Sequence, residues 1–253
     1  FASATTEDFA DDANAALAYL HTRPEVNRAQ LGIAGHSEGS IIAGMVAAAD
    51  PDLAFVVSIA GPGVRGETLI VEQVASIAAA SGYDEEMVAE ARAQQEKTLK
   101  LMLAGDWKGL ESYLTELITD SYDELTPEQQ EAMGPLEELV PQRVAAEMEG
   151  LRGAWFTFFL TYDPTTDWQQ VTVPTLLIFG ELDTQVPAGQ NLAPLQAALA
   201  ENPNVTSEVL AGANHLFQAA KTGAPQEYTV LPGHLMPELL DLIAAWLGEQ
   251  IAP

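Results

Sequence analysis

Three residues far apart in the chain have the types and the order needed to cleave an acyl bond through a covalent intermediate. The segment Gly35-His36-Ser37-Glu38-Gly39 fits the pattern G-x-S-x-G, with a serine at its centre. A serine hydroxyl is a poor nucleophile until a base takes its proton. Four histidines could do so: His21, His36, His215 and His234. His21 closes a helical stretch. His36 adjoins the serine, so its side chain is expected to turn away from it into the packing. His234 follows Pro232-Gly233 at the start of the last helical stretch. His215 lies in the loop Gly212-Ala213-Asn214-His215, directly after an apolar strand, and is the preferred base. Loops at the carboxyl ends of strands are where alternating α/β sheets collect reactive groups. The base needs a carboxylate to fix its tautomer and stabilise the imidazolium. Asp183, in another such loop, is the candidate, and Glu181 is its close competitor. The order Ser37, Asp183, His215 is the one expected when successive strand ends supply nucleophile, acid and base.

The pentapeptide alone is a weak signal, and the elements around it give it weight. Leu31 to Ala34 reads as a short apolar strand, and Glu38 to Ala49 as a helix. A serine between them stands on a tight turn with strained backbone and an exposed Oγ. The turn calls for small neighbours, which Gly35 and Gly39 supply. The amino end of the helix and the Glu38 backbone N–H favour negative charge beside the serine, as an oxyanion donor would. Upstream, residues 6–22 have helical apolar spacing and a Thr5/Asp8 capping pair. Downstream come an apolar run over 53–60, a buried strand over 175–179, a helix over 190–200, a strand over 205–210 and a helix over 237–250. This alternation predicts an α/β fold with a mostly parallel sheet flanked by helices.

Strand patterning disappears between about Val64 and Leu160. Helical stretches near 67–81, 84–104, 107–119, 126–133 and 136–149 replace it, rich in Glu, Ala, Gln and Leu. The chain is therefore divided into core residues 1–63, an inserted helical subdomain over 64–165, and core residues 166–253. An aromatic cluster (Trp155, Phe156, Phe158, Phe159, Tyr162) marks the return to the core. It reads equally as packing and as one wall of an apolar pocket. Trp155, Phe156 and Phe159, with Phe217, are the candidate pocket residues.

Composition removes several classes of function. The 253 residues are 47% hydrophobic, enough for a core, and contain no cysteine, so thiolate metal sites, disulfides and cysteine nucleophiles are excluded. No metal site and no cofactor are implied. Acidic residues number 37 against 10 basic ones, a net charge of −27. Nucleic-acid binding needs a basic face and is not expected. No apolar run is long enough for a membrane span. Only Lys97, Lys100, Lys108 and Lys221 supply lysine. Such a lysine-poor, acid-rich chain reads first as a soluble acidic protein; the alternative is adaptation to a salty medium, where self-repulsion is screened and stability would rise from low to molar salt.

The segments TTEDFADDANAALAYL, GHSEGS, SIAGPGV, VPTLLIFGELDTQVP and GANHLFQAAKTGAPQEY together resemble the α/β-hydrolase superfamily, in particular bacterial cap-bearing esterases and serine aminopeptidase-like enzymes. The resemblance implies an α/β-hydrolase fold with Ser37 as nucleophile, His215 as base and Asp183 orienting the histidine. The insertion would be the cap that sets substrate choice. A carboxylesterase acting on small or medium acyl esters is the first expectation. A peptidase, aminopeptidase or amidase of the same fold is the second. A non-catalytic binding module, or the incomplete half of a two-fragment enzyme, is the alternative from another class. Members of such a family carry further strands ahead of the elbow strand, and the loop among them gives the second oxyanion donor. The resemblance therefore implies an associated amino-terminal fragment of the same protein, with Phe1 a processing point; a natural truncation is the alternative. It also includes exported bacterial proteins, so a periplasmic or secreted location is compatible with it, and the sequence assigns no compartment.

Overall fold

The apolar runs assemble into one parallel sheet. The computed structural model describes residues 3–250, and Phe1, the expected processing point, lies outside them. The chain enters as α1 (Thr6–His21), whose first turn is closed by the Asp8 carboxylate, which accepts the Thr5 N–H at 2.7 Å. It continues through β1 (Gly32–His36), α2 (Glu38–Ala49) and β2 (Phe55–Ile59). Seven helices follow: α3 (Gly66–Ala80), α4 (Glu85–Leu103), α5 (Trp107–Asp123), α6 (Pro127–Met133), α7 (Leu136–Leu151), α8 (Ala154–Thr161) and α9 (Thr165–Trp168). The chain returns as β3 (Thr175–Gly180), α10 (Ala188–Ala198), β4 (Val205–Leu210) and α11 (Pro237–Gln250). Expected and observed elements differ mostly at their ends. The first strand begins one residue later than expected and runs on to His36. The single turn α9 is too short to show periodicity in the sequence.

The four strands lie in chain order, β1-β2-β3-β4, and every pairing is parallel. Right-handed crossovers that all step the same way must place the connecting helices on one face. That face holds α1, α2, α9 and α10, packed through Ala10, Ile41, Trp168 and Leu195 against Val56, Leu177 and Phe179. The opposite face, with Val57, Leu176 and Ile178, meets Leu239 and Trp246 of α11. Side chains alternate between the faces, so a strand buried on both sides must be apolar at every position. This accounts for the unbroken TLLIF run of β3, whose residues are all buried. Each large side chain so buried contributes roughly 1.5–3 kcal/mol.

The cover on the second face ends before β1. Ala34 and His36 share that face with Val57 and Ile59 across the β1–β2 register, yet both remain exposed. Among the described residues, β1 is also an edge of the sheet. Leu31 O accepts from Ala54 N–H, and Ser37 N–H donates to Ile59 O at 2.9 Å, so the odd-numbered groups serve β2. The backbone groups of Gly32, Ala34 and His36 consequently face the open side.

The helical excursion between β2 and β3 has an apolar centre of its own. Leu99 and Met102 of α4, Leu110 and Leu114 of α5, and Val144 and Met148 of α7 form one buried cluster, joined by Leu160 of α8. Among the described residues, no helix is long and apolar enough to cross a membrane.

Candidate active site

Parallel strands bring their carboxyl ends to one rim of the sheet, and Ser37, Asp183 and His215 follow β1, β3 and β4 at that rim. Ser37 sits between the last residue of β1 and the first of α2, with φ 57° and ψ −122°. A residue with a Cβ in such a conformation stores about 1–3 kcal/mol and is held there only by its surroundings. The restraints are its own N–H on Ile59 O and its carbonyl, which accepts from Ser40 N–H, both at 2.9 Å. The strand and helix can meet this closely because residue 35 is glycine: a Cβ there would lie 1.8 Å from Gly39 O. Gly39 itself, expected to be small for the same reason, has open space where its Cβ would be. The turn is tight against the Gly39 carbonyl, and the side-chain direction at residue 39 points away from it.

The acid and histidine loops are more heavily restrained. Asp183 Oδ2 accepts from His215 Nδ1 at 2.9 Å. Its Oδ1 accepts the backbone N–H groups of Gln185 and Val186 at 2.8 and 2.9 Å. Both residues are 4% exposed. The His215 loop is closed by Asn214, whose side-chain oxygen accepts Gln218 N–H at 2.9 Å and whose amide donates to Gln218 Oε1 at 3.1 Å. Leu182 N–H donates to Ala213 O at 2.9 Å, which ties the two loops together. Glu181, the competing acid, accepts from Gly212 N–H at 2.8 Å and so fastens the same two loops from the outside. His234 stands exposed with its ring near its neighbour's carbonyl.

His36 departs from its expected place. Its ring does not enter the packing but stands 4.6 Å from the His215 ring, and its Nε2–H donates to His215 O at 2.8 Å. Strand alternation explains the position: the longer β1 carries His36 onto the sheet face beside Phe217. Loss of solvent on its inner side lowers the His36 pKa below the ordinary 6.5, against the raising effect of its bond to the His215 carbonyl. The Ser37 hydroxyl has no side-chain hydrogen-bond partner among the described residues.

The four expected pocket residues do not form one surface. Phe217 is 1% exposed, with φ 53°, and packs into the core under α11. It is a structural residue and not a pocket wall; the bend after His215 drives its ring inward. Phe156 packs against the apolar cluster of the helical excursion. Phe159 is buried against the sheet-side core. Trp155 is the one left open, stacked on Phe159 at 5.5 Å. Its indole Nε1–H donates to Glu38 Oε1 at 2.6 Å. The Glu38 side chain is a contact that sequence reasoning missed, since only its backbone N–H drew attention. A cleft of about 810 Å³ lies between α5 and α7, lined by Glu111, Val140, Met148 and Arg152, and includes none of Ser37, Asp183 or His215.

A parallel sheet whose successive strand ends carry a strained serine, a buried carboxylate and a histidine bonded to it is the arrangement of a hydrolase. The sequence matches the alpha/beta hydrolase family over residues 2–228, and the chain belongs to that family. No curated protein matches it. Among solved structures it is similar to the alpha/beta hydrolase GrgF from Penicillium sp., with 15% identity, a TM-score of 0.54, and coverage of 99% of this chain and 74% of that one. It is also similar to an esterase of Pyrococcus furiosus, with 11% identity, a TM-score of 0.45, and coverage of 94% and 60%. A proline iminopeptidase of Mycobacterium smegmatis gives 17% identity, a TM-score of 0.48, and coverage of 97% and 72%. The chain thus spans about three fifths of the Pyrococcus esterase.

Proposed function

We propose that this protein is a serine hydrolase that cleaves carboxylic esters of small or medium acyl groups. The observation that carries the reading is the buried Asp183–His215 hydrogen bond at 2.9 Å, on the same rim as a serine in a strained turn. In this reading Ser37 Oγ attacks the acyl carbon while His215 Nε2 takes its proton. Asp183, bonded at Nδ1, keeps the imidazole in the tautomer that leaves Nε2 free to accept. The tetrahedral oxyanion is held by Glu38 N–H, one of the helix-start N–H groups that lack an intrahelical partner. The alcohol leaves with the proton from His215, and water attacks the acyl-enzyme by the same route in reverse. The helical excursion serves as a cap, and Trp155, the aromatic side chain left open at its return, supplies an apolar acyl wall.

The open edge of β1 lies beside the elbow, and the Gly32, Ala34 and His36 backbone groups are available there for another strand. We propose that an amino-terminal segment of the same protein pairs with this edge and contributes the second oxyanion donor. The test is fluorophosphonate labelling followed by intact mass of every polypeptide present. A label on Ser37, abolished in S37A, is the expected result. Turnover of an aryl acetate over an amino-acid anilide is expected; the reverse preference would replace the esterase with a peptidase. An unlabelled protein would remove the serine-hydrolase reading.

A further inference from the structure

The Glu38 carboxylate stands where three elements meet. Glu38 opens α2 immediately after Ser37, so its backbone is part of the elbow. Its Oε1 accepts two hydrogen bonds. One comes from Thr6 Oγ1 at the start of α1, at 2.8 Å, and Thr6 is 1% exposed. The other comes from Trp155 Nε1 at the start of α8, at 2.6 Å. Residues 6, 38 and 155 are far apart in sequence, so chain connectivity does not force them together. Hydrogen bonds to an ionised acceptor are roughly twice as strong as neutral ones. The amino end of α2 also favours the negative charge at this position. Trp155 in turn stacks on Phe159, and the Phe159 carbonyl lies so close to Gly66 that a Cβ there would come within 2.3 Å. Close contacts therefore run from Trp155 through Phe159 to the start of α3.

We infer that Glu38 is a positioning residue that couples the helical excursion to the elbow: its carboxylate holds Trp155, and through it the aromatic wall of α8, at a set distance from the N–H that Glu38 itself presents beside Ser37. One residue then fixes both the donor for the reacting oxygen and the wall for the acyl chain. Acyl-length selectivity follows from that geometry. The inference deepens the esterase reading and rests on it for selectivity, while the latch itself can be observed without turnover.

The experiment uses E38Q, E38A, W155F and the E38A/W155F double variant of the whole protein, with aryl esters of two- and eight-carbon acids. The indole N–H signals of the ¹⁵N-tryptophan-labelled protein are recorded alongside, with W155F assigning Trp155. The amide oxygen of E38Q can still accept both bonds, so this variant keeps the Trp155 signal and the chain-length ratio of kcat/KM. E38A moves the Trp155 signal and speeds its solvent exchange. E38A and W155F each lower the long-over-short ratio about tenfold, the scale of one lost bond to a charged group, and the double variant loses no more than either. An unmoved Trp155 signal in E38A overturns the inference. So does a double variant whose loss is the product of the two single losses, because the residues would then act independently. If Ser37 takes no fluorophosphonate, the esterase reading falls, and the indole signal still decides whether Glu38 holds Trp155.

Discussion

The two sides of the candidate site are finished to different degrees. On the β3–β4 side, Asp183 spends both carboxylate oxygens on three hydrogen bonds, and Asn214, Gln218 and Glu181 lock the loops around it. On the β1 side, Ser37 is strained, its hydroxyl has no side-chain partner among the described residues, and His36 and Ala34 stand exposed beside an unpaired strand edge. His215 is held mainly by the two paired loops around it, with one further bond from His36 to its carbonyl. Ser37 rests on supports from other elements: β2 beneath it, and Glu38 reaching to α1 and α8.

If the comparison holds, damage to the two sides separates chemistry from stability. The largest effect is expected from S37A, which should lower kcat on the order of 10⁶-fold in steady-state ester hydrolysis without changing the melting temperature. D183N comes next. Its remaining oxygen can still accept the Gln185 and Val186 N–H groups, so circular dichroism and melting should hold, while kcat falls about 10⁴-fold through the wrong histidine tautomer. Equal unfolding in D183N would show that the acid side is not self-sufficient. G35A attacks the other side: its Cβ would meet backbone at 1.8 Å, which should cost about 3 kcal/mol or more in urea denaturation.

His36 sharpens the contrast through pH. Its pKa is lowered in the folded protein, chiefly by burial, so as pH falls through 6.5 the unfolded chain takes up the proton first. Stability is full above 6.5 and declines as pH falls toward the folded value. H36Q, which can still donate to the His215 carbonyl but does not titrate there, should flatten the urea midpoint between pH 7.5 and 5 relative to wild type. A wild-type midpoint with no more slope than H36Q would remove His36 from the account. The smallest effect is expected from E181Q: less than about 1 kcal/mol of stability, and activity close to wild type, as befits a carboxylate that binds Gly212 N–H and not the histidine.

Much of this was legible in the chain before any coordinates. The β3 run could be read because burial on both faces leaves no polar position to confuse the pattern. The elbow could be read because glycine, serine and a strand-to-helix switch coincide at residues 35–39. The helices of the excursion could be read from their own periodicity, and they fall close to the expected ranges. The places that misled share a cause. Phe217 lies two residues from His215, which suggests a pocket wall, yet a left-handed bend turns it into the core. Gly39 flanks the turn, which suggests a squeezed side, although its carbonyl is what approaches Gly35. His36 adjoins the serine, which suggests packing, although a strand that ends two residues later sets it against His215.

Periodicity and residue types along the chain are enough for the parallel α/β layering, the helical excursion between the second and third strands, and the order Ser37, Asp183, His215. These depend on periodicity and on residue types at neighbouring positions, which are local properties of a chain. Packing sets which carboxylate meets His215: Asp183 and Glu181 sit in one loop, and their oxygens reach His215 Nδ1 and Gly212 N–H respectively. It alone brought Thr6, Glu38 and Trp155 to one point, and it alone left the edge of β1 open. Such meetings are set by how finished elements pack, and no spacing within a single element encodes them.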